Sequence, residues 1–458
     1  MRSILLTLLA AVALLLGAPA AAQAEPRIYA ITDVTVVPMD RERLLPARTV
    51  IVRGERIETI GPARSTRIPA GAVRIDGRDR YLMPGLAEMH AHVPAGNDPQ
   101  WTKDVLFLYA ANGITFARGM LGAPAHLELR SKLERGELVG PRLYTSGPSL
   151  NGNSVATPED GRRMVAEQKA AGYDFLKIHP GLDRARYDAI AAAARARAMP
   201  FGGHVPDAVG LRRALEVNQI TVDHLDGYMP LLVRDGFKLP EGAGGFFGYD
   251  LAGEVDERKI ARVARLTREA RVWNVPTDSL MHHMLLPDLT EAELLAREEM
   301  RYVPRRMLAG WKQARADLRA QPDYDAGRAA RFIAVRGKLI KALHDAGAGL
   351  LLGSDAPQVF NVPGFSLHRE LSYLVQAGLT PYQALSTGTR EVARFLGAPD
   401  DFGTVEPGRR ADLILIDGDP LKDVANVRRR AEVMIGGRWL PKAEIEAGLA
   451  EIAARHST

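Results

Sequence analysis

Met83-Pro84-Gly85-Leu86-Ala87-Glu88-Met89-His90-Ala91-His92 is the stretch whose reading decides the fold. Its apolar body reads as a β-strand, and in a strand side chains two apart share a face. His90 and His92 therefore point together, at the C-terminal end of the run. Two imidazoles so placed make a pincer for a metal ion. An H-x-H pair alone is a weak motif, so the weight rests on the rest of the chain.

Seven more short apolar runs come after it: Gly113–Arg118, Arg142–Ser146, Phe175–His179, Pro200–His204, Ile220–His224, Val272–Thr277 and Leu350–Asp355. With Leu82–His90 they make eight, most of them followed by a helical pattern. Arg184–Ala198 is the clearest helix. Alternating strands and helices argue for a parallel sheet, and eight units argue for a closed (β/α)8 barrel. The connections at 226–271 and 279–335 exceed what a crossover needs. Loops of that length at a barrel mouth form lids, and Gly242-Ala243-Gly244-Gly245 gives freedom there. Glu291–Gln321 reads as an amphipathic helix.

The ends of the chain read differently. Ile28–Met39 and Thr49–Ile60 alternate with period two, and β-character returns at Gly403–Asp417 and Ala431–Leu440. These segments are expected to pair into one composite β-sandwich domain, 25–82 with 403–442, interrupted by a barrel over 83–402. Residues 443–458 are expected to be a C-terminal helix.

Lys177, His204, His224 and Asp355 each stand at the end of a predicted strand, where functional groups of this fold cluster. Lys177 carries its own argument. A buried ammonium is costly and cations would repel it. A neutral amine takes up carbon dioxide to give a carbamate, whose two oxygens can bridge two metal ions. Asp355 emerges from Leu350-Leu351-Leu352-Gly353-Ser354, where a carboxylate can bind a metal and accept a proton from water. His179 shares the face of Lys177 and is a candidate substrate contact, as are His282 and His283 in the loop after the seventh run.

The chain has 458 residues, 46% hydrophobic and 25% charged, which is ordinary for a globular protein. Its 60 basic residues against 55 acidic ones are scattered, which speaks against nucleic acid as a partner. Arg428-Arg429-Arg430 beside Glu432 reads as a solvated face. There is no cysteine, so thiolate ligands, thiol nucleophiles and disulfides are excluded. Arg2, the apolar stretch Ile4–Leu16 and Ala22-Gln23-Ala24 read as a signal peptide over 1–24. The reading is an exported protein, periplasmic if the source has two membranes, with no stable membrane insertion after cleavage.

Together these residues resemble the amidohydrolase superfamily, in particular its imidazolonepropionase-like and Xaa-Pro dipeptidase-like members. MPGLAEMHAHV (83–93), DFLKIH (174–179), GGHVP (202–206), VDHLDGY (222–228) and LLGSDAP (351–357) look like the family's strand-end signatures. GTVEPGRRADLILIDGDPL (403–421) looks like its return to the β-domain. The resemblance covers Ile31 to Leu440 and implies a deformed (β/α)8 barrel with a composite β-sandwich. It implies that His90, His92 and Asp355 hold one divalent ion and His204 and His224 a second, with carboxylated Lys177 between them. Zinc suits such ligands, although manganese, cobalt or iron can fill them. Glu88 departs from the family's usual Asp. Tyr228 resembles a tyrosine that some dipeptidase-like relatives aim at the substrate carbonyl.

The expected function is hydrolysis of a C–N amide bond in a small molecule, a dipeptide or N-acyl amino acid, by metal-activated hydroxide with Asp355 moving the proton. A lactonase, carboxylesterase or cyclic-amide hydrolase uses the same chemistry and stays open. So does a non-catalytic binding protein, which the intact ligand set disfavours. A homo-oligomer is also left open.

Overall fold

The computed structural model describes residues 27–96, 98–240 and 243–457. The expected signal peptide lies outside the described residues. The chain builds strands β1 (Ile28–Val36), β2 (Leu45–Arg53), β3 (Arg56–Pro62), β4 (Val73–Asp76) and β5 (Tyr81–Pro84) before the helical region begins. Strands β6 (Leu86–Ala91), β7 (Ile114–Gly119), β8 (Arg142–Thr145), β9 (Leu176–Ile178), β10 (Phe201–Gly203), β11 (Thr221–Asp223) and β12 (Trp273–Val275) follow. β13 (Leu413–Ile416), β14 (Arg430–Ile435) and β15 (Arg438–Leu440) end the strand set.

The terminal strands form one eight-stranded mixed sheet in the order β15-β14-β13-β5-β1-β2-β3, with β4 alongside β1. β5 pairs antiparallel with β13, Leu82 opposite Leu415, which ties the N-terminal segment to the C-terminal one. Period-two alternation puts Ile31, Val50, Val52, Leu413, Leu415 and Met434 into one buried apolar cluster. The run Leu82–His90 is thus two strands rather than one: β5 belongs to the terminal sheet and β6 to the next layer.

The middle strands are parallel and buried, as strands covered by helices on their outer faces must be. They form two sheets, β6-β7-β8 and β12-β11-β10-β9. Isolated parallel bridges Ser146–Phe175, Asn274–Leu350 and Ala91–Ala356 join them. The eighth run, Leu350–Asp355, forms no regular strand. It is held between its neighbours by Leu351 N–H to the Asn274 carbonyl at 2.9 Å and Met89 N–H to the Leu352 carbonyl at 2.8 Å.

Helices separate the strands. Arg184–Ala196 starts at an Asp183 N-cap that accepts from Arg186 N–H and stops where Ala198 turns left-handed. The expected single helix at Glu291–Gln321 is broken into Glu291–Leu295, a 3-10 turn Glu298–Tyr302 and Arg305–Arg319. Pro304 explains the last break, since it disfavours helix in the residue before it. The 226–271 insertion carries helix Tyr228–Leu232, a 3-10 segment Phe246–Glu254 and helix Ile260–Ala270. Lys442–His456 is the terminal helix. Arg428 and Arg429 are exposed as expected. Arg430 is instead half-buried and donates to the Ala111 carbonyl, so it belongs to the packing between layers.

Candidate active site

His90 is next to last in β6 and His92 lies just beyond its end. Their rings are 5.5 Å apart, the shared face that period two requires. Across from them, Lys177 sits fully buried in the middle of β9. Its Nζ is 3.5 Å from His90 Nε2 and 4.0 Å from Asp223 Oδ2. The lysine stem fits only because β10 offers Gly203 beside it: a Cβ there would meet the Ile178 carbonyl at 2.5 Å and Lys177 Cδ at 2.8 Å.

His204 follows β10 and His224 follows β11. Their rings are 4.6 Å apart, and the His224 ring is 4.4 Å from that of His90. Asp355 completes the group from the eighth segment: Oδ1 is 2.7 Å from His92 Nε2 and 3.5 Å from His90 Nε2, and Oδ2 is 3.8 Å from His224 Nδ1. The six side chains expected to hold metal thus converge on one place. His179 joins them, its ring stacked 5.0 Å from that of His204.

The backbone at these ends is unusual. His224, Thr277 and Asp355 have φ of 62°, 54° and 64°, a left-handed region uncommon for residues other than glycine. Three neighbouring segments thus accept strain where they deliver or orient a functional group.

Outer contacts fix the rings. His204 Nδ1 is 2.7 Å from Asp226 Oδ2 and His224 Nδ1 is 2.8 Å from Thr277 Oγ1, which leaves each Nε2 for another partner. His90 Nδ1 lies 3.0 Å from Asp223 Oδ2. Asp223 is in turn gripped by Arg118, whose Nη2 is 3.1 Å from both carboxylate oxygens and whose Nε donates to the Met89 carbonyl. Carboxylates behind ligating histidines set their tautomer and raise their basicity. Glu88 accepts from the N–H groups of His90 and Ser354 and from the Ser354 hydroxyl, tying β6 to the eighth segment. Burial pushes Glu88 up to about 8 against those donors.

Sequence reasoning did not single out Arg118, Asp223, Asp226 or Thr277. The signal for the first two was present: a charged residue ends the run Gly113–Arg118, and Asp223 stands beside His224.

The donors suit divalent metal. Burial holds His90 and His224 well below the usual imidazole range, so both stay neutral, the form that binds metal. Burial also brings Lys177 down to about 8, against the pull of Asp223 and Asp355. Asp355 Oδ1 is buried 2.7 Å from His92 Nε2 yet receives no well-angled hydrogen bond. Close donors without good mutual bonds are what a ligand set looks like. One donor atom each from His90, His92 and Asp355 lie within 4.8 Å of one another, compact enough to share an ion.

Three expected residues lie elsewhere. Tyr228 is fully buried, and its hydroxyl bonds Asn274 Oδ1 at 2.7 Å and Thr267 Oγ1 at 2.9 Å. Those partners hold it against helix Ile260–Ala270, away from the expected reach to a substrate carbonyl. His282 stacks on Tyr373, ring centroids 3.8 Å apart. His283 places Nε2 2.7 Å from Arg297 Nη1. The contacts of both are with the helical layer rather than the cluster.

The amidohydrolase family pattern matches residues 81–440, which takes in every member of the cluster. The chain belongs to the amidohydrolase family. This membership bears out the expected amidohydrolase superfamily. The superfamily generally uses a metal centre, and His90, His92 and Asp355 form a candidate for one. Among amidohydrolase-related proteins, the chain is 24% identical to an imidazolonepropionase of Rhizobium rhizogenes over 401 residues, covering 84% of this chain and 88% of that protein. It is 22% identical to adenine deaminase 3 of Rhizobium meliloti (strain 1021) over 384 residues, 81% of this chain and 52% of the relative. The match therefore spans about half of that deaminase. Among solved structures, a putative prolidase from Bifidobacterium longum superposes with a TM-score of 0.69 at 24% identity, covering 94% of this chain and all of the other. A bottromycin amidohydrolase superposes with a TM-score of 0.72 at 22% identity, covering 94% and 91%. These likenesses speak for an α/β fold shared with amidohydrolases.

Proposed function

We propose that this chain is an exported amidohydrolase that uses two divalent metal ions, zinc by preference, to cleave the amide bond of a dipeptide or N-acyl amino acid. The observation that carries the proposal is the convergence of His90, His92, His204, His224 and Asp355 around buried Lys177. All six sit at or near the ends of parallel segments. The bridges Ser146–Phe175, Asn274–Leu350 and Ala91–Ala356 support reading those segments as one deformed barrel, closed on itself. The group then occupies the barrel's C-terminal face, where this architecture places chemistry. The N- and C-terminal segments then make its composite β-domain. Export rests on the N-terminal sequence.

His90, His92 and Asp355 would hold one ion and His204 and His224 the other, with Lys177 as a carbamate between them. The neutral amine adds to carbon dioxide and releases a proton, which removes the like charge that an ammonium would present to metal. Bound divalent ions would supply the positive charge that polarises a carbonyl and acidifies water near neutral pH. Asp355 takes the proton from the attacking water and returns it to the leaving nitrogen. Asp223, Asp226 and Thr277 keep the imidazoles oriented throughout. His179 offers a neutral imidazole beside His204 for a polar atom of the substrate, since burial lowers it to about 2.

The test is release of free amino acid from a library of dipeptides and N-acyl amino acids by mature protein purified with zinc and bicarbonate. Turnover of a defined subset, abolished by a chelator and restored by metal, is the expected result. Silence across the library with two ions bound per chain would reject the amide substrate and direct the search to lactones, esters and cyclic amides.

A further inference from the structure

The insertion after β11 brings an aromatic side chain onto the cluster. The Phe247 ring lies 5.0 Å from the ring of His224 and 6.0 Å from that of His204, nearly parallel to the latter at 19°. Phe246 packs edge-on against it at 4.9 Å. Phe247 is half-exposed, whereas Tyr249 and Leu251 of the same segment are buried. Its ring packs on the edge of the apolar core and borders both imidazoles, with part of its surface left open.

The segment is built to hold that ring there. Phe247 has φ 54° and ψ 28°, a conformation few aromatic residues adopt. Gly248 follows with φ 83°, and a Cβ there would meet Met229 Cβ at 2.5 Å, so only glycine makes the turn. Gly248 N–H donates to the Gly245 carbonyl at 2.8 Å on one side. On the other, the Tyr249 hydroxyl donates to the Asp325 carbonyl at 2.9 Å and accepts from Asp325 N–H at 2.6 Å. Such backbone strain persists only where the surrounding structure holds it, as these anchors do.

The surroundings define what the ring would accept. Phe246 stands edge-on behind the ring and the His204 and His224 imidazoles stand beside it, so the group it meets is best apolar and planar.

We propose that Phe247 is a specificity-determining residue that packs against an apolar, preferably planar, group of the substrate next to the scissile bond. This inference rests on reading the cluster as a hydrolytic metal site. Its test uses two metal-binding probes that differ only in the group presented to the wall, acetohydroxamate and benzohydroxamate, titrated by calorimetry into zinc-loaded wild type, Phe247→Gly and Phe247→Leu. Glycine is at ease at positive φ, so Phe247→Gly removes the ring without adding strain; Phe247→Leu keeps apolar bulk and loses planarity. The preference for benzohydroxamate should fall about tenfold in Phe247→Gly and less in Phe247→Leu, the scale of one aromatic contact. Zinc content and acetohydroxamate affinity should stay within about twofold. An unchanged preference in folded, zinc-replete Phe247→Gly overturns the inference alone. Failure of both probes to bind zinc-loaded wild type overturns it together with the reading beneath it.

Discussion

The terminal sheet and the strand ends around Lys177 are equally buried and built in opposite ways. In the sheet, Ile31, Val50, Val52, Leu413 and Met434 fill the interior, while charges such as Arg53 and Glu58 pair on the surface. At the strand ends the interior holds Lys177, Arg118, Asp223, His90, His224 and Asp355, and the backbone turns left-handed at three positions. The first arrangement gains free energy from apolar burial. The second gives some of that up, because buried charges seldom repay their desolvation, and gains a place where donors face one another without satisfying one another. One region stabilises the fold and the other depends on that stability.

The largest effect should separate the two regions outright. Asp355→Asn keeps shape and burial but removes the carboxylate proposed to accept the proton. Turnover should fall by at least ~100-fold and up to ~10,000-fold, the scale of a positioned general base, with the melting temperature little changed. Near-normal turnover by the folded variant would break the contrast, because the strand ends would then be polar for some reason other than catalysis. The opposite pattern is expected from Ile31→Ala in β1. Deleting that buried side chain should cost ~2–5 kcal/mol of unfolding free energy, the usual scale of a core cavity, read by denaturant titration. Zinc content and kcat of the molecules still folded should match wild type. A loss of zinc at full occupancy of the native state would show the two regions to be coupled.

How far each region was legible in the sequence follows from the same contrast. The terminal strands announce themselves by period two, and the ligand set by polar residues that end apolar runs; neither signal needs knowledge of what lies alongside. Arg118 and Asp223 carry the same signal, but that they pair with each other and hold His90 shows only once β7, β6 and β11 are brought together. Tyr228 misleads for a local reason. His224, Leu225 and Gly227 all have positive φ, of 62°, 55° and 73°, so the chain turns sharply before Tyr228, and the resemblance that singled out this tyrosine does not show where its side chain goes. Phe247 is invisible for the same reason, since its placement comes from turns and anchors rather than from a period. The eighth run is visible for its apolar character and its Asp, although the left-handed Asp355 and the isolated bridges around it leave no regular strand there.

The smallest expected effect asks whether the cost of buried polarity belongs to the cluster alone. His282 lies in the helical layer, 9% exposed and stacked on Tyr373, and burial lowers it from 6.5 to about 4. Between those values the unfolded chain binds the proton and the folded one does not. Stability therefore rises with pH across the window, is fully present above about 6.5, and is lost as the pH falls toward 4. A shift of that size corresponds to roughly 3 kcal/mol at most, and some will be relieved by local opening. His282→Phe keeps the ring stacked on Tyr373 and removes the titration. Its unfolding free energy should fall less steeply than that of wild type between pH 6.5 and pH 4, the two curves running parallel above pH 7. Chelated protein should be used for both, so that acid release of metal does not enter the slope. Curves that stay parallel through the acid limb would mean that His282 is as easily protonated in the folded chain as in the unfolded one, and that its burial costs the fold nothing.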